Sequence, residues 1–263
     1  MTLEELCTLL DAKLGVADFE DYAGAFNGLQ LERRALADDG ASTPFGDVHR
    51  VALSVDACRY TIEAAADDGA ELLIAHHGLL WGGVRPFTGP LFERLAAAFA
   101  ANLAVYACHL PLDAHPSLGN NAQLVRALGF EPDEDARFGE HGGRKLGYFV
   151  ECDLERHQWW RLVDEALGQP TQLLSTGPER ITRFAVLTGA GASYLDAAAA
   201  AGCDALLTGE ASHHHYFEAE ERGVNLCLGG HYATECLGVL ALGRYLEETL
   251  NLDWTFIEHD TGL

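Results

Sequence analysis

Two short segments place a histidine and an acid four residues apart: His109-Leu-Pro-Leu-Asp113 and His231-Tyr-Ala-Thr-Glu235. Each follows an apolar run that reads as a strand. Gly229-Gly230 ends the second run and Tyr232 onward reads as helix, so His231 and Glu235 fall on one helix face and can reach one site. Pro111 argues against a regular helix in the first segment, and His109 and Asp113 are expected on a turn. A third segment, His76-His77, closes the apolar run 72–75 and is followed by Gly78. Successive strand residues point to opposite faces, so both imidazoles approach one site only where the strand gives way to a loop, and Gly78 permits that turn.

Either His/acid segment alone also reads as a satisfied surface histidine and a helix-terminal carboxylate, and His76-His77 alone as a pair of barrel-end or sheet-end polar residues. Their recurrence at related places points to metal chemistry. His76, His77, Asp113, His231 and Glu235 make three imidazoles and two carboxylates. Carboxylates can bridge two ions about 3.5 Å apart while imidazoles hold them terminally. Adjacent histidines suit one on each ion, so two divalent ions per chain are expected. The mixed nitrogen and oxygen set suits Zn, Fe, Mn, Co or Ni and argues against Ca, which takes oxygen ligands. His109, four residues from a ligand, is a candidate general acid or base. The run His213, His214 and His215 opens a helix after Gly209-Glu210. It reads as a layer behind the ligands, a proton relay or a surface run, with His214 the best candidate for catalysis.

Short apolar runs alternate with Ala-rich helical stretches, which indicates an α/β architecture. Strands are expected over 49–55, 71–76, 103–107, 146–152, 183–188, 204–208, 224–228 and 253–258. Helices are expected over 2–14, 58–68, 90–101, 118–128, 155–167, 191–202, 211–222 and 232–250. An internal repeat organises these elements. Residues 51–76 lie without gaps against 184–209, a constant spacing of 133, and both pieces read strand, helix, Gly, strand. Farther on, Leu103 aligns with Asn225, His109 with His231 and Asp113 with Glu235, at a spacing of 122. The difference falls where residues 81–90 add a loop to the first half. The segment 131–145 is polar and breaker-rich and is the best candidate for an inter-domain connection. The expectation is therefore two similar α/β units with the metal site between them. The first, 1–135, carries His76, His77 and Asp113; the second, 136–263, carries His231 and Glu235, its C-terminal segment packing back on the first.

The formal charge is -23, from 40 acidic against 17 basic residues, and such a surface repels polyphosphate backbones, so no nucleic-acid partner is expected. No run approaches the roughly 20 apolar residues of a membrane span, and residues 1–14 lack a signal-peptide pattern, so a cytoplasmic protein is expected. The seven cysteines are scattered without a C-x-x-C pair and read as small buried hydrophobes in a reducing compartment.

The segments 71–80, Cys108-His-Leu-Pro-Leu-Asp113, Leu207-Thr-Gly-Glu-Ala211 and Gly230-His-Tyr-Ala-Thr-Glu235 resemble the NGG-interacting-factor-like dinuclear metal-centre family, whose members are named GTP cyclohydrolase I type 2 homologues. Asn27-Gly-Leu-Gln30 resembles its N-terminal motif, so the resemblance spans nearly the whole chain. It differs at Ala25-Phe26 and in showing three successive histidines at 213–215. The resemblance implies two ions on His76, His77, Asp113, His231 and Glu235, and a ring-shaped homohexamer. It also implies hydrolytic attack on the purine ring of GTP. On the residues alone, two ions would lower the pKa of a bound water toward neutrality, giving a hydroxide that attacks an electrophilic carbon or phosphorus. The alternative is a non-catalytic metal-delivery or regulatory protein built on the same centre; a dinuclear phosphoesterase would share the site but usually needs more carboxylates.

Overall fold

A computed structural model describes residues 1–36, 42–44 and 46–263. The chain divides into two compact units, Met1–Leu112 with Val239–His259, and Asp113–Gly238 with Asp260–Leu263. Both are α/β, as the alternating pattern requires.

The first unit is built on a five-stranded sheet. Three parallel strands form its middle, Arg50–Asp56, Leu72–His77 and Ala104–Ala107, in that spatial order. Gly28–Leu31 closes one edge antiparallel to Ala104–Ala107, and Asp253–Phe256 closes the other parallel to Arg50–Asp56. The middle strands read as near-continuous apolar runs because helices cover parallel sheets. Helices Arg59–Asp67 and Pro90–Ala100 supply the crossovers, and Ile62, Ala65, Leu73, Ala98 and Val105 are buried together beneath them. Helix Leu3–Leu14 opens the chain on a Thr2 capping box and buries Leu3, Leu6, Leu10 and Leu14.

The second unit repeats that frame. Arg180–Leu187, Ala205–Thr208 and Asn225–Leu228 are its parallel strands, and Gln172–Leu174 closes one edge antiparallel. At the other side the long strand Arg144–Glu155 runs antiparallel to Arg180–Leu187. The pairings reproduce the repeat: Val51 pairs with Leu72 as Phe184 pairs with Ala205, each 133 residues on. The third strands sit at a spacing of 121, Leu72 pairing with Ala104 and Ala205 with Asn225, one residue less than the alignment of the histidines gives. The second half regains that residue before its histidine, where Gly229-Gly230 stands against Cys108 alone. Trp159, Phe184, Tyr148 and Leu207 are packed in the second core.

Three expectations change. The segment 131–145 is part of a β-hairpin inside the second unit, Arg137–His141 against Arg144–Glu155, with Gly142 and Gly143 both at positive φ in the turn. Glycine pairs punctuate hairpins and linkers alike, and composition does not separate the two. The division between units falls at 112/113 rather than 135/136, because helix Asn120–Ala127 buries Ala122, Leu124 and Val125 in the second core. Leu110–Ala114 forms a single helical turn despite Pro111, which sits in its first turn, where a missing N–H costs no hydrogen bond. The edge strands 28–31 and 172–174 were not expected, being short and weakly patterned. No helix among the described residues is long and apolar enough to cross a membrane.

Candidate metal centre

In open α/β sheets the side chains that meet ligands gather beyond the carboxyl ends of parallel strands. The first unit follows that rule. His76 and His77 are the last residues of Leu72–His77, His109 lies two residues past Ala104–Ala107, and Asp56 ends Arg50–Asp56. Gly78 is needed at the turn because a Cβ there would meet Gln30 and the Ala107 side chain closer than atoms allow. One ligand atom from each of His76, His77 and His109 lies within 4.8 Å of the others, and the ring centroids are 4.7 to 5.5 Å apart.

Each of these rings is held by its Nδ1. His76 Nδ1 lies 2.9 Å from the Cys108 carbonyl oxygen, His77 Nδ1 2.9 Å from Asp56 Oδ1, and His109 Nδ1 2.9 Å from Asp21 Oδ1. An acceptor at Nδ1 places the neutral ring's proton there and leaves the Nε2 lone pair as the donor to a cation. Asp21 is itself fixed: Asn27 Nδ2 and the Leu110 amide donate to Oδ2, and the Tyr22 amide to Oδ1. Burial pushes the Asp21 carboxyl up, but His109, Asn27 and the Tyr22 amide outweigh it and hold it below the usual range. Asn27 Oδ1 accepts the His109 amide, fixing the loop backbone as well.

The second unit holds its own cluster, Asp113, His231 and Glu235. Asp113 is 6% exposed and accepts from Asn120 Nδ2 at 2.8 Å on Oδ1, while Asn121 donates to its backbone carbonyl. His231 opens the helix His231–Leu250, and Glu235, 3% exposed, stands one turn on with Oε2 3.0 Å from His231 Nε2. His231 Nδ1 lies 2.8 Å from Glu210 Oε1, so this ring too has an acceptor at Nδ1. Burial works against charge on His231, but Glu235 and Glu210 overcome it and raise its pKa to about 9. Gly189 makes room for the acid: at φ +65, a Cβ there would stand 2.1 Å from Glu235 Oε1. The Gly189 amide donates to Thr234 Oγ1 and its carbonyl accepts the Gly209 and Glu210 amides, so one loop positions Glu210 and the helix start together.

The side chains of each unit have the chemistry to hold a divalent cation. Buried carboxylates are costly unless a cation offsets them, and metal-ligating imidazoles typically donate their other N–H to a carboxylate or carbonyl. His76, His77 and His231 share that pattern, and so does His109. His214 lies apart in type: it is exposed and forms its own group with His215 and Glu218, and His215 Nδ1 accepts the Ser212 amide. Sequence reasoning missed the supports Asp21, Asp56 and Glu210. Asn27 carried a signal within the N-terminal motif; Asp56 and Glu210 stand at strand ends, one aligned with Gly189 and the other with His77 in the repeat.

Comparison with known proteins agrees with this frame. Residues 1–262 match the family Duf34/NIF3 (NGG1p interacting factor 3), and the chain belongs to that family. It is 39% identical to a protein of Halobacterium salinarum, covering 100% of both chains. It is 37% identical to one of Deinococcus radiodurans over 99% of this chain and 94% of that one. Both are named GTP cyclohydrolase 1 type 2 homolog. Among solved structures, protein ybgI, of unknown function, superposes with a TM-score of 0.86 at 35% identity. TTHA1606 from Thermus thermophilus superposes at 0.85 and 33%, and both cover 100% of each chain.

Proposed function

We propose that this chain is a cytoplasmic metal-dependent hydrolase acting on the purine ring of GTP. It would hold two divalent ions on His76, His77, Asp113, His231 and Glu235. The observation that carries the reading is the common dressing of the imidazoles, each with a carboxylate or carbonyl at Nδ1. The names of the relatives support the choice of substrate, and a ring-shaped homohexamer belongs to the same proposal. Two ions would supply Lewis-acid activation of water. The chain's own part is to orient and to move protons. Cys108, Asp56 and Glu210 fix the three ligand rings; Asn120 fixes Asp113. His109, held by Asp21 beside His76 and His77, would carry a proton at Nε2 to a leaving group, a step worth about 10²–10⁴ in rate. A second role for His109 has an observation in its favour: its ligand atom lies within 4.8 Å of those of His76 and His77, as a fourth imidazole ligand would.

The test is metal-loaded protein incubated with GTP and with generic phosphoesters, with formate and the opened purine product as readouts. Formate release that requires the metals supports the reading. Full metal occupancy with no turnover of any of them would overturn the hydrolase and leave a delivery or regulatory protein. His109→Gln separates its two roles, since a proton carrier keeps two equivalents of metal and loses turnover, whereas a ligand loses metal. His214→Gln is run beside it as the other catalytic candidate.

A further inference from the structure

Aromatic side chains crowd the first unit's histidines. The Trp81 indole meets the His109 ring edge to face at 4.5 Å between centroids and the His77 ring at 4.9 Å; Tyr22 lies 5.8 Å from His109. Trp81 and Phe26 meet His76 and His109 around one tight crevice with no room for a water. Yet Trp81 is 43% exposed, Phe26 46% and Tyr22 48%. Large aromatics gathered and exposed at one place usually mark a binding surface.

The backbone is arranged to bring them there. Trp81 opens the segment 81–90, which the first half of the repeat carries and the second half lacks. The Gly83 amide donates to the Gly24 carbonyl at 3.0 Å, and the Leu80 amide donates to Gln30 Oε1 at 3.2 Å. Gln30 Nε2 also donates to the Phe26 carbonyl, so one side chain ties both loops. Gly24 is at φ +93 and a Cβ there would stand 2.7 Å from the Gly83 nitrogen. Any other residue at 24 would push the two aromatic loops apart.

We propose that Trp81, flanked by Phe26 and Tyr22, is the stacking face for a planar heteroaromatic ligand whose ring edge is turned toward His76, His77 and His109. Aromatic walls cover the two faces of a flat ring without regard to its substituents, and the imidazoles address the polar atoms at its edge. A ringless phosphoester would gain nothing from the indole. The inference deepens the purine-hydrolase reading and rests on it for the ring's fate, but not for its binding.

The experiment reads equilibrium binding, not turnover. Metal-loaded wild type, Trp81→Phe and Trp81→Ala are titrated with guanosine, GTP and glycerol phosphate, with metal content and sedimentation measured on each. Trp81→Ala should weaken guanosine and GTP about tenfold or more, with Trp81→Phe close to wild type and glycerol phosphate unaffected. Phe26→Ala is the second variant should Trp81→Ala lose metal, and should weaken the same two ligands. Unchanged guanosine affinity in the alanine variants overturns the proposal, as does a wild type that binds no guanosine. A changed oligomeric state with unchanged ring affinity also overturns it and makes the patch a contact between copies. Ring-dependent binding without hydrolysis would sink the hydrolase reading and leave the stacking face standing.

Discussion

The two units share a frame and differ at the strand ends. Arg50–Asp56 with Leu72–His77 and Arg180–Leu187 with Ala205–Thr208 pair in the same register, 133 residues apart. The first frame ends in His76-His77; at those positions the second has Gly209-Glu210. Asp56, which supports His77, stands where the second unit has Gly189, whose missing side chain admits Glu235. In the first unit the sheet presents imidazoles directly, supported by a carboxylate from the neighbouring strand. In the second the sheet end supplies the carboxylate, Glu210, and the imidazole comes from the helix that follows. One pairing of ring and acceptor is thus reached from opposite sides of the same scaffold, so the repeat conserves a geometry rather than a residue.

The largest effects should come from removing ligands in either unit. Glu235→Ala or Asp113→Ala should reduce bound metal from about two equivalents to at most one, measured by elemental analysis after loading. The exposed acids Asp133 and Glu248 serve as controls, and their alanine variants should keep two. Equal metal in all four variants would break the assignment. Next in size is Gly189→Ala. A left-handed backbone costs a residue with a Cβ about 1–2 kcal/mol, and Glu235 must also shift. The melting temperature should fall by several degrees with metal lost as well; a variant with wild-type occupancy would show that Glu235 has another way to sit.

The comparison sharpens at the supports. Asp56→Asn and Glu210→Gln each weaken the acceptor behind one ligand imidazole, and such partners typically affect metal affinity about 10–100-fold. Similar losses from both, read by competition with a chelator, would mean the two arrangements are equivalent. A loss from Asp56→Asn alone would mean that only the first unit's support matters.

Much of this was legible in the chain. The apolar runs and Ala-rich helices fall where the alternation put them, because buried parallel strands and long helices carry strong periodic signals. His76, His77, Asp113, His231 and Glu235 stood out because unlike residues recurred at related places. The supports did not. Asp56 is a single acid among 40 acidic residues, distinguished only by its place at a strand end, and Glu210 lay within a recognised motif without a role assigned to it. Asp21 reaches His109 across 88 positions of sequence, a pairing no local pattern encodes.

A smaller effect concerns protons. Burial opposes charge on His231, but Glu235 and Glu210 raise its pKa to about 9, above the ordinary 6.5. A raised folded-state value stabilises the metal-free protein fully below about pH 6.5 and loses that contribution as pH rises through 9. Metal must displace this proton, so binding near pH 7.5 should release close to one proton from His231, falling toward none well above pH 9. Calorimetry in buffers of differing ionisation enthalpy measures it, and Glu210→Gln should reduce the release at about pH 8 or above.

The smallest effect on metal should come from the other histidine cluster, which tests whether the Nδ1 pattern or mere histidine density marks the site. His214, His215 and Glu218 bring ligand atoms within 4.8 Å of one another, as the first unit's histidines do. The chemistry of the rings differs. His215 Nδ1 accepts the Ser212 amide at 2.9 Å, so its neutral ring carries the proton on Nε2, whereas the rings of His76, His77 and His231 face acceptors at Nδ1 and, when neutral, offer Nε2 to a cation. An imidazole facing a donor at Nδ1 would have to give up that hydrogen bond or its last proton to bind a metal. His214→Gln and His215→Gln should therefore keep two equivalents, with His215→Gln costing about 1 kcal/mol of stability from the lost turn hydrogen bond. A loss of metal from either variant comparable with that from Glu210→Gln would show that the acceptor at Nδ1 does not distinguish ligand histidines from the rest.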